Sequence, residues 1–382
     1  YNWCVMRTES SLIWRGARPL VGTMIGVGIL SLPFAVSQVG FALGIVLLLA
    51  IGVVNVFILC LYADLVLVRA GKARFIHVIG RELGHFGTFV ASSAYIGATY
   101  GALVAYLLFG GQFLRAVLYQ WVPMTAWTAS IWFFVIASFF TLGGSLFVAR
   151  AQRILVPTFM ILLVLLTVIA IPHINIQNYL TFTPTNIAVP LGVMLFAFQG
   201  MSALPEMRDV LSRRPEWLSK STVFAVSIVA ALYVIFITGV LGVTGAKTTE
   251  NAIVGLGSSL GQSVVLLASG VAFLTTLTAY LNVTTALMNT YTYDLRLRFI
   301  PSWLLTSLIP LIFILVGVQS IVGVLGFSGG ILGPLTAIMM LIAYERARLG
   351  GDLPKYALRV PQWLVGLAFV IFASVMIGTI VG

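Results

Sequence analysis

Two apolar segments of this sequence carry the same interrupted pattern. Residues 22–33 read GTMIGVGILSLP and residues 196–206 read FAFQGMSALPE. Aligned on Gly28 and Gly200, both have a glycine, three variable residues, a leucine and a proline. Glycine removes a side chain and proline removes a backbone donor, so each helix is expected to unwind here. The pattern also suits close helix packing, but interruptions at matching places of two segments favour a binding site.

An unwound turn in an apolar span leaves backbone N–H and C=O groups without helical partners. A zwitterionic amino acid could satisfy both kinds of group, its carboxylate taking N–H groups near a helix amino terminus and its ammonium taking carbonyl oxygens. Neither segment has an ionised side chain in its middle. The predicted carboxylate contacts are Gly26, Val27 and Gly28, and the predicted ammonium contacts are the carbonyls near Phe196, Ala197 and Phe198. Further residues around both breaks complete the predicted substrate site: Thr23, Met24, Phe196, Phe198, Gln199 and Gly200.

Composition places these segments in a membrane. Of the 382 residues, 60% are hydrophobic and 8% are charged, and the mean hydropathy is +1.09. Crossing the hydrocarbon core takes roughly 20 apolar residues. Such runs recur along the chain and predict one all-α membrane domain over residues 1–382 with eleven spans: 19–38, 41–68, 88–119, 127–148, 154–172, 187–206, 221–243, 259–293, 302–318, 320–343 and 362–381. The third and eighth are long enough to predict tilted helices that run past the bilayer surface.

The distribution of basic residues supports this topology. With a cytoplasmic amino terminus, every one of the 21 lysines and arginines except Arg115 and Lys247 falls in an inner segment. Adding or removing one span would destroy the segregation. The net charge of +11 is thereby explained by anionic inner-leaflet lipid, and no nucleic-acid partner is predicted.

Cysteine and histidine give no sign of a cofactor or an enzyme. The two cysteines, Cys4 and Cys60, suit neither a disulfide framework nor a thiolate metal site, and the three histidines lack ligand spacing. No cofactor and no resident metal are predicted, nor does a cleavable signal pattern precede the first span. An embedded enzyme would need a concentrated cluster of His, Asp, Glu or Cys, and a channel would need a filter or rings of charge. A transporter is therefore the preferred interpretation.

The two interrupted segments and the eleven-span layout resemble the aromatic and hydroxy amino acid permeases. This family belongs to the amino acid/auxin permease group of the amino acid, polyamine and organocation superfamily. The resemblance implies the leucine-transporter fold, in which helices one and six are broken and ten core helices form a five-plus-five inverted repeat. Repeat one would cover 19–172 and repeat two 187–343, with an extra helix at 362–381. It also implies a multi-pass protein of the cell membrane.

The resemblance adds residues to the site. Ala105-Tyr106 followed by Gly110-Gly111 resembles a pattern of the family's third span, which makes Tyr106 a candidate pocket or gate residue. In sodium-coupled relatives, hydroxyls of span eight join carbonyls of the broken first span around the cation. The matching residues are Thr275 and Thr278 with Gly22 and Ile25, although Ala279 stands where another hydroxyl is usual. Threonines at this spacing can equally bond to their own helix and serve packing.

Glu206 offers the alternative of proton coupling. It follows the interrupting proline of span six and could exchange a proton as that helix moves, unless Arg208, Arg213 or Arg214 neutralises it. Asp64 of span two is expected to pair with a basic inner residue. The prediction is a secondary active permease for neutral or aromatic amino acids, working by alternating access and proton symport. A sodium-coupled symporter and a permease-derived sensor that does not transport remain alternatives.

Overall fold

Nearly the whole chain is described by a computed structural model. It covers residues 2–68, 74–118, 121–142, 145–180, 187–354, 357–358 and 360–381, without side-chain detail at 2–10, 145–153, 258 and 262. Four basic residues of the charge argument, Arg69, Lys72, Lys355 and Arg359, lie outside the described residues. So does the end of the predicted third span at residue 119.

Sixteen α-helices occur in the described part of the chain, and they account for all eleven predicted spans. The first five spans are formed by α1 (Asn2–Met24) together with α2 (Gly28–Ser37), and then by α3 (Phe41–Val68), α4 (Phe75–Leu118), α5 (Ala126–Leu142) and α6 (Ser145–Ala170). Span six is formed by α7 (Ala188–Ala197) together with α8 (Leu204–Val210), span seven by α9 (Leu218–Thr244) and span eight by α12 (Gln262–Asn289), with the short α10 (Ala252–Gly255) and α11 (Gly257–Leu260) between the last two. Span nine is α13 (Phe299–Leu315), span ten is α14 (Ile321–Phe327) together with α15 (Gly333–Leu349), and span eleven is α16 (Gln362–Val381).

Length and hydropathy make this a multi-pass membrane protein. In the described residues, eight helical segments are long and apolar enough to cross a bilayer, and the bent pair α1–α2 forms a ninth. The remaining two predicted spans are α5 and α13, apolar helices of 17 residues each. A bilayer about 30 Å thick needs roughly 20 residues at a rise of 1.5 Å, and spans of about 17 residues are the short end of the usual range, so both helices are at the lower limit.

The two long predicted spans, 88–119 and 259–293, lie almost wholly within the continuous helices α4 and α12, and their predicted tilt stays a prediction. The chain turns just before the first of them at Gly84, where φ is 68° inside α4, and at the start of the second at Gly261, where φ is 86° before α12. Only glycine adopts such angles readily. The boundary near residue 148 was wrong, because α5 ends at Leu142 and α6 already begins at Ser145.

Contacts at one end of the bundle connect segments that the charge pattern places in the cytoplasm. Arg346 Nη1 donates to the Glu82 carbonyl at 2.8 Å, although the two residues are far apart in sequence. Asp64 is buried, and its carboxylate accepts the Leu358 backbone N–H at 3.1 Å. The carboxylate of Asp64 therefore anchors the loop between α15 and α16 through the backbone. Its predicted pairing with a basic side chain stays a prediction, because Arg69, Lys355 and Arg359 of the inner segments lie outside the described residues.

The opposite end is closed by the loop between α9 and α12. Ser31 of α2 donates its hydroxyl proton to the Glu250 carbonyl at 2.8 Å, and the Glu250 carboxylate accepts the Ile321 N–H at 3.1 Å. Nearby, the Asn251 amide donates to the Gln112 side chain at 2.9 Å. Glu250 and Asn251 fall in a predicted outer segment, and Ser31, Gln112 and Ile321 fall near the predicted outer ends of their spans, so these contacts agree with the sequence-based topology.

Candidate substrate site

The first and sixth spans are both broken in mid-helix. Between α1 and α2 the axis bends by 61°, and Ile25 to Val27 form the break. Between α7 and α8 the break covers Phe198 to Gly200, followed by a single 3₁₀ turn. Both breaks fall at or just before the glycines on which the two sequences align, as the pattern predicts. Of the two prolines, Pro205 opens α8, whereas Pro33 lies inside α2 and does not interrupt it.

The two breaks touch each other through their backbones. A Cβ added at Gly28 would lie 2.9 Å from the Cα of Ala197, so glycine is required for this approach. A Cβ added at Gly26 would lie 2.7 Å from the hydroxyl oxygen of Tyr106 in α4. The ring of Tyr106 thus covers the first break, and the backbone of α7 lies beside it.

A tyrosine that the sequence analysis did not single out bridges the breaks. Tyr233 in α9 is fully buried, and its hydroxyl oxygen lies 2.7 Å from the Met24 carbonyl and 2.7 Å from the Ala197 carbonyl. Both carbonyls stand at helix carboxyl termini, where intrahelical donors run out. One hydroxyl proton serves the two acceptors, so Tyr233 ties the break in span one to the break in span six. Nothing in the sequence distinguishes it from other tyrosines in apolar spans.

Backbone groups at the breaks differ in their availability to a ligand. The Gly26 N–H donates to the Met24 carbonyl at 2.8 Å, so it is already engaged. The N–H groups of Gly28 and Ile29 bond to no described backbone carbonyl and lie at the positive end of α2, whereas the Leu30 N–H donates to the Val27 carbonyl at 3.0 Å. In span six the Phe196 carbonyl accepts the Gln199 N–H at 3.0 Å, and no donor among the described residues bonds to the Phe198 carbonyl. A carbonyl has two lone pairs, so either can accept from an ammonium group.

A cavity of about 110 Å³ opens at the breaks. Most of the predicted substrate residues border it: Thr23, Met24, Gly26, Gly28, Tyr106, Phe196, Ala197, Gln199 and Gly200. Val27 and Phe198 do not. Val27 is packed in the core at 1% exposure, and the Phe198 ring packs against the Tyr233 ring at a centroid distance of 5.2 Å, with the two rings tilted by 57°. The Phe198 ring therefore packs against α9 on the side away from the cavity, which does not fit its predicted role as a pocket wall.

The rest of the cavity wall was missed by sequence reasoning. On α4, Tyr95, Thr99 and Ala102 share a helical face with Tyr106, since they follow one another at spacings of three or four residues. That spacing was visible in the sequence, but many apolar faces show it. Other wall residues come from helices not assigned to the site: Asn55 on α3, Thr336 on α15 and Phe372 on α16. Among the described residues, no Asp, Glu, Lys, Arg or His borders this cavity.

The threonines of span eight bond within their own helix. Thr275 donates to the Val271 carbonyl at 2.9 Å and Thr278 donates to the Thr275 carbonyl at 2.9 Å, as the packing alternative predicts. Both side chains are nearly buried, at 3% and 5% exposure. Their oxygen lone pairs stay available as ligands for a hard cation. Of the other predicted cation residues, Gly22 lies near the end of α1, which contacts α12, and Ile25 begins the break that follows α1.

Glu206 lies at a second cavity on the predicted cytoplasmic side. This cavity measures about 480 Å³ and also borders Gly22 of α1 and Asn282 of α12. The Glu206 side chain is exposed and forms no ion pair with any described residue. Of the arginines expected to neutralise it, Arg208 pairs with Asp209 at 2.9 Å and Arg214 pairs with Glu216 at 3.6 Å.

Comparisons with known proteins agree with this architecture. A sequence model of the tryptophan/tyrosine permease family matches residues 9–381. Tyrosine-specific transport system 1 of Haemophilus influenzae is 23% identical over 358 residues, 88% of this chain and 88% of the relative. Glutamine transporter 2 of Aliivibrio fischeri is 22% identical over 382 residues, 94% of this chain and 97% of the relative. The crystal structure of MhsT in complex with L-phenylalanine superposes with a TM-score of 0.70 at 13% identity, covering 96% of this chain and 98% of the other. The predicted leucine-transporter fold is thereby confirmed.

Proposed function

The chain belongs to the tryptophan/tyrosine permease family, and from that premise we propose that it carries a neutral, preferably aromatic, amino acid across the cell membrane by alternating access. As a permease it performs no covalent chemistry on the substrate. The proposal concerns which amino acid is carried, how the carrier moves and which ion drives it.

The observation that supports a neutral substrate is the cavity at the paired breaks. Its backbone groups suit a zwitterion, with the carboxylate at the first turn of α2 and the ammonium at the carbonyls of Phe196 and Phe198. No side chain on the described wall offers a countercharge for a charged substrate side chain. Burying an unpaired charge there would be strongly unfavourable. The wall instead offers tyrosine and phenylalanine rings, which favour an aromatic side chain.

Purified protein reconstituted into proteoliposomes would test the substrate. We expect saturable uptake of tryptophan, tyrosine or phenylalanine, and no specific uptake of glutamate or arginine. Glutamine belongs in the same screen because one relative is a glutamine transporter. Tight binding of arginine or glutamate would contradict the proposal. Binding that raises the unfolding temperature without any uptake would identify the non-transporting sensor instead.

Proton coupling is proposed because the Glu206 carboxylate is open to a cytoplasmic cavity that also borders α1. A carboxylate that forms no ion pair with the described residues can take up and release a proton as α8 moves between open and closed positions. Uptake should then respond to an inward pH gradient in the absence of sodium. Glu206→Gln should weaken that response more than it weakens equilibrium binding. Glu216→Gln is the matched control, since Glu216 pairs with Arg214 on the surface and lies away from the cavity.

Sodium coupling remains the second candidate, supported by the buried hydroxyls of Thr275 and Thr278 on a helix that contacts α1. Oxygen-only ligands of this kind suit a hard cation. A strict sodium requirement that Thr278→Val removes, and that Glu206→Gln leaves unchanged, would decide for sodium against protons.

A further inference from the structure

The substrate cavity reaches beyond the two broken spans, to the last helix of the chain. Phe372 lies in the middle of α16 and borders the same cavity as Gly28 and Tyr106. Its side chain is only 3% exposed. The cavity is therefore bordered both by the backbone of the breaks and by side chains, among which α16 contributes the Phe372 ring.

Glycines in span ten allow α7 and α16 to pack closely against this span. The middle of this span is a π-helical turn over Ser328–Leu332 that joins α14 to α15. A Cβ added at Gly329 would collide with the Gly192 carbonyl of α7, and one added at Gly330 would lie 2.6 Å from Thr379 of α16. Span ten is thus pressed between α7 and α16 with glycine at both contacts. The Gln199 side chain packs against Gly333, and its Nε2 would lie 2.9 Å from a Cβ added there.

The orientation of α16 buries Phe372 and leaves the nearby Phe369 partly exposed. Val365, Ala368 and Phe372 are buried and follow one another at spacings of three and four residues, so they form one face. Phe369 lies at the edge of this face and is 41% exposed, in the position of a lipid contact. The helix thus offers two phenylalanines three residues apart, of which one borders the cavity and the other does not.

We propose that Phe372 is a specificity-determining residue, whose ring forms the wall against which the substrate's side chain packs. The inference rests on the proposed function and deepens it, because it names the residue that selects an aromatic side chain. The amino and carboxyl groups of the substrate are common to all amino acids and bind at the breaks. Discrimination must then come from the side chains of the wall, where an aromatic ring gains from edge-to-face or offset contact with another ring.

The test compares dissociation constants of tryptophan, tyrosine, phenylalanine and leucine for wild type and variants, measured by calorimetry on purified full-length protein. Phe372→Leu keeps an apolar side chain but removes the ring, so affinity for the three aromatic amino acids should fall about threefold to tenfold relative to leucine. Phe372→Trp narrows the cavity and should weaken tryptophan binding more than leucine binding. Phe369→Leu, the matched control, should leave all four constants unchanged.

The outcomes separate the two proposals. Equal weakening of all four ligands by Phe372→Leu, or no change, would overturn the role of Phe372 while leaving the transport proposal standing. A wild-type protein that binds none of the four would overturn the proposed function, and this inference with it. Thermal unfolding of each variant shows whether it is folded, and Phe372→Trp tests the wall independently if Phe372→Leu is unstable.

Discussion

Substitution of Gly28 by alanine is the most direct test of the broken-helix site. The added Cβ would lie 2.9 Å from the Ala197 Cα and 3.2 Å from its Cβ. Comfortable carbon–carbon contacts begin at about 3.5 Å, so α2 and α7 must separate by about 0.5 Å. The atom in the way is backbone, and it cannot move aside by a rotamer change. Gly28→Ala therefore displaces the helix that carries the proposed carboxylate contacts relative to the helix that carries the ammonium contacts.

Overpacking of this kind costs about 1 to 3 kcal/mol. If the unliganded protein relaxes and only the bound state needs the present spacing, the whole cost appears in binding, as a loss of affinity of about fivefold to a hundredfold. If both states need the spacing, the cost appears as a lower unfolding temperature. Measuring the dissociation constant and the unfolding temperature on the same preparation distinguishes these cases. The bulkier Gly28→Val should abolish binding.

Gly270→Ala in α12 is the matched control, because no atom lies within 4 Å of a Cβ added there. In a helix interior, alanine is favoured over glycine by about 1 kcal/mol, so this variant should bind normally and be at least as stable as wild type. A Gly28→Ala protein with wild-type affinity and wild-type unfolding temperature would refute the close contact between the breaks, and with it the site.

Three further predictions follow from the contacts around the site. Gly26→Ala should weaken binding more in the wild-type background than in Tyr106→Phe, because loss of the phenol oxygen removes the 2.7 Å contact; a double-mutant cycle measures the difference. Tyr233→Phe should lower the free energy of unfolding by about 1 to 3 kcal/mol, because a buried carbonyl at a break loses its donor; an unchanged denaturation midpoint would contradict this. Gly329→Ala should lower the unfolding temperature strongly, since its methyl group meets the Gly192 carbonyl, and binding at saturating ligand should persist in the folded fraction.

Sequence alone predicted the features that depend on local chemistry. The eleven spans follow from apolar length, and the breaks follow from glycines that cannot support a helix as other residues do. Family membership and fold class, first inferred from those residues, are confirmed. The turn at Gly84, where φ is 68°, was missed because the sequence does not show which of the 37 glycines adopts a positive φ.

Features that depend on how helices rotate about their axes were not predictable in this way. Tyr233 and Phe372 both lie in apolar spans where an aromatic residue is unremarkable in sequence. Whether each faces lipid, core or cavity is decided by close contacts made elsewhere, such as those of Gly329 and Gly330. Phe198 failed for the same reason: it is adjacent to the break in sequence, but its ring points to Tyr233 and α3.

The division of the cavity into a backbone region and a side-chain wall bears on how related carriers differ. Two relatives of nearly equal similarity, at 23% and 22% identity, are named for tyrosine and for glutamine. These substrates share the amino acid backbone and have uncharged side chains, so the chemistry at the paired breaks can serve both. What must change between them is the wall, because a ring gains from aromatic contacts whereas an amide needs hydrogen-bond partners when it is buried. In this chain the wall combines Tyr95, Thr99 and Thr336 with Phe372, which supplies polar groups as well as rings. Replacing one ring should therefore shift preference among neutral amino acids and leave the rejection of charged ones intact, since that rejection arises from the absence of any countercharge on the described wall.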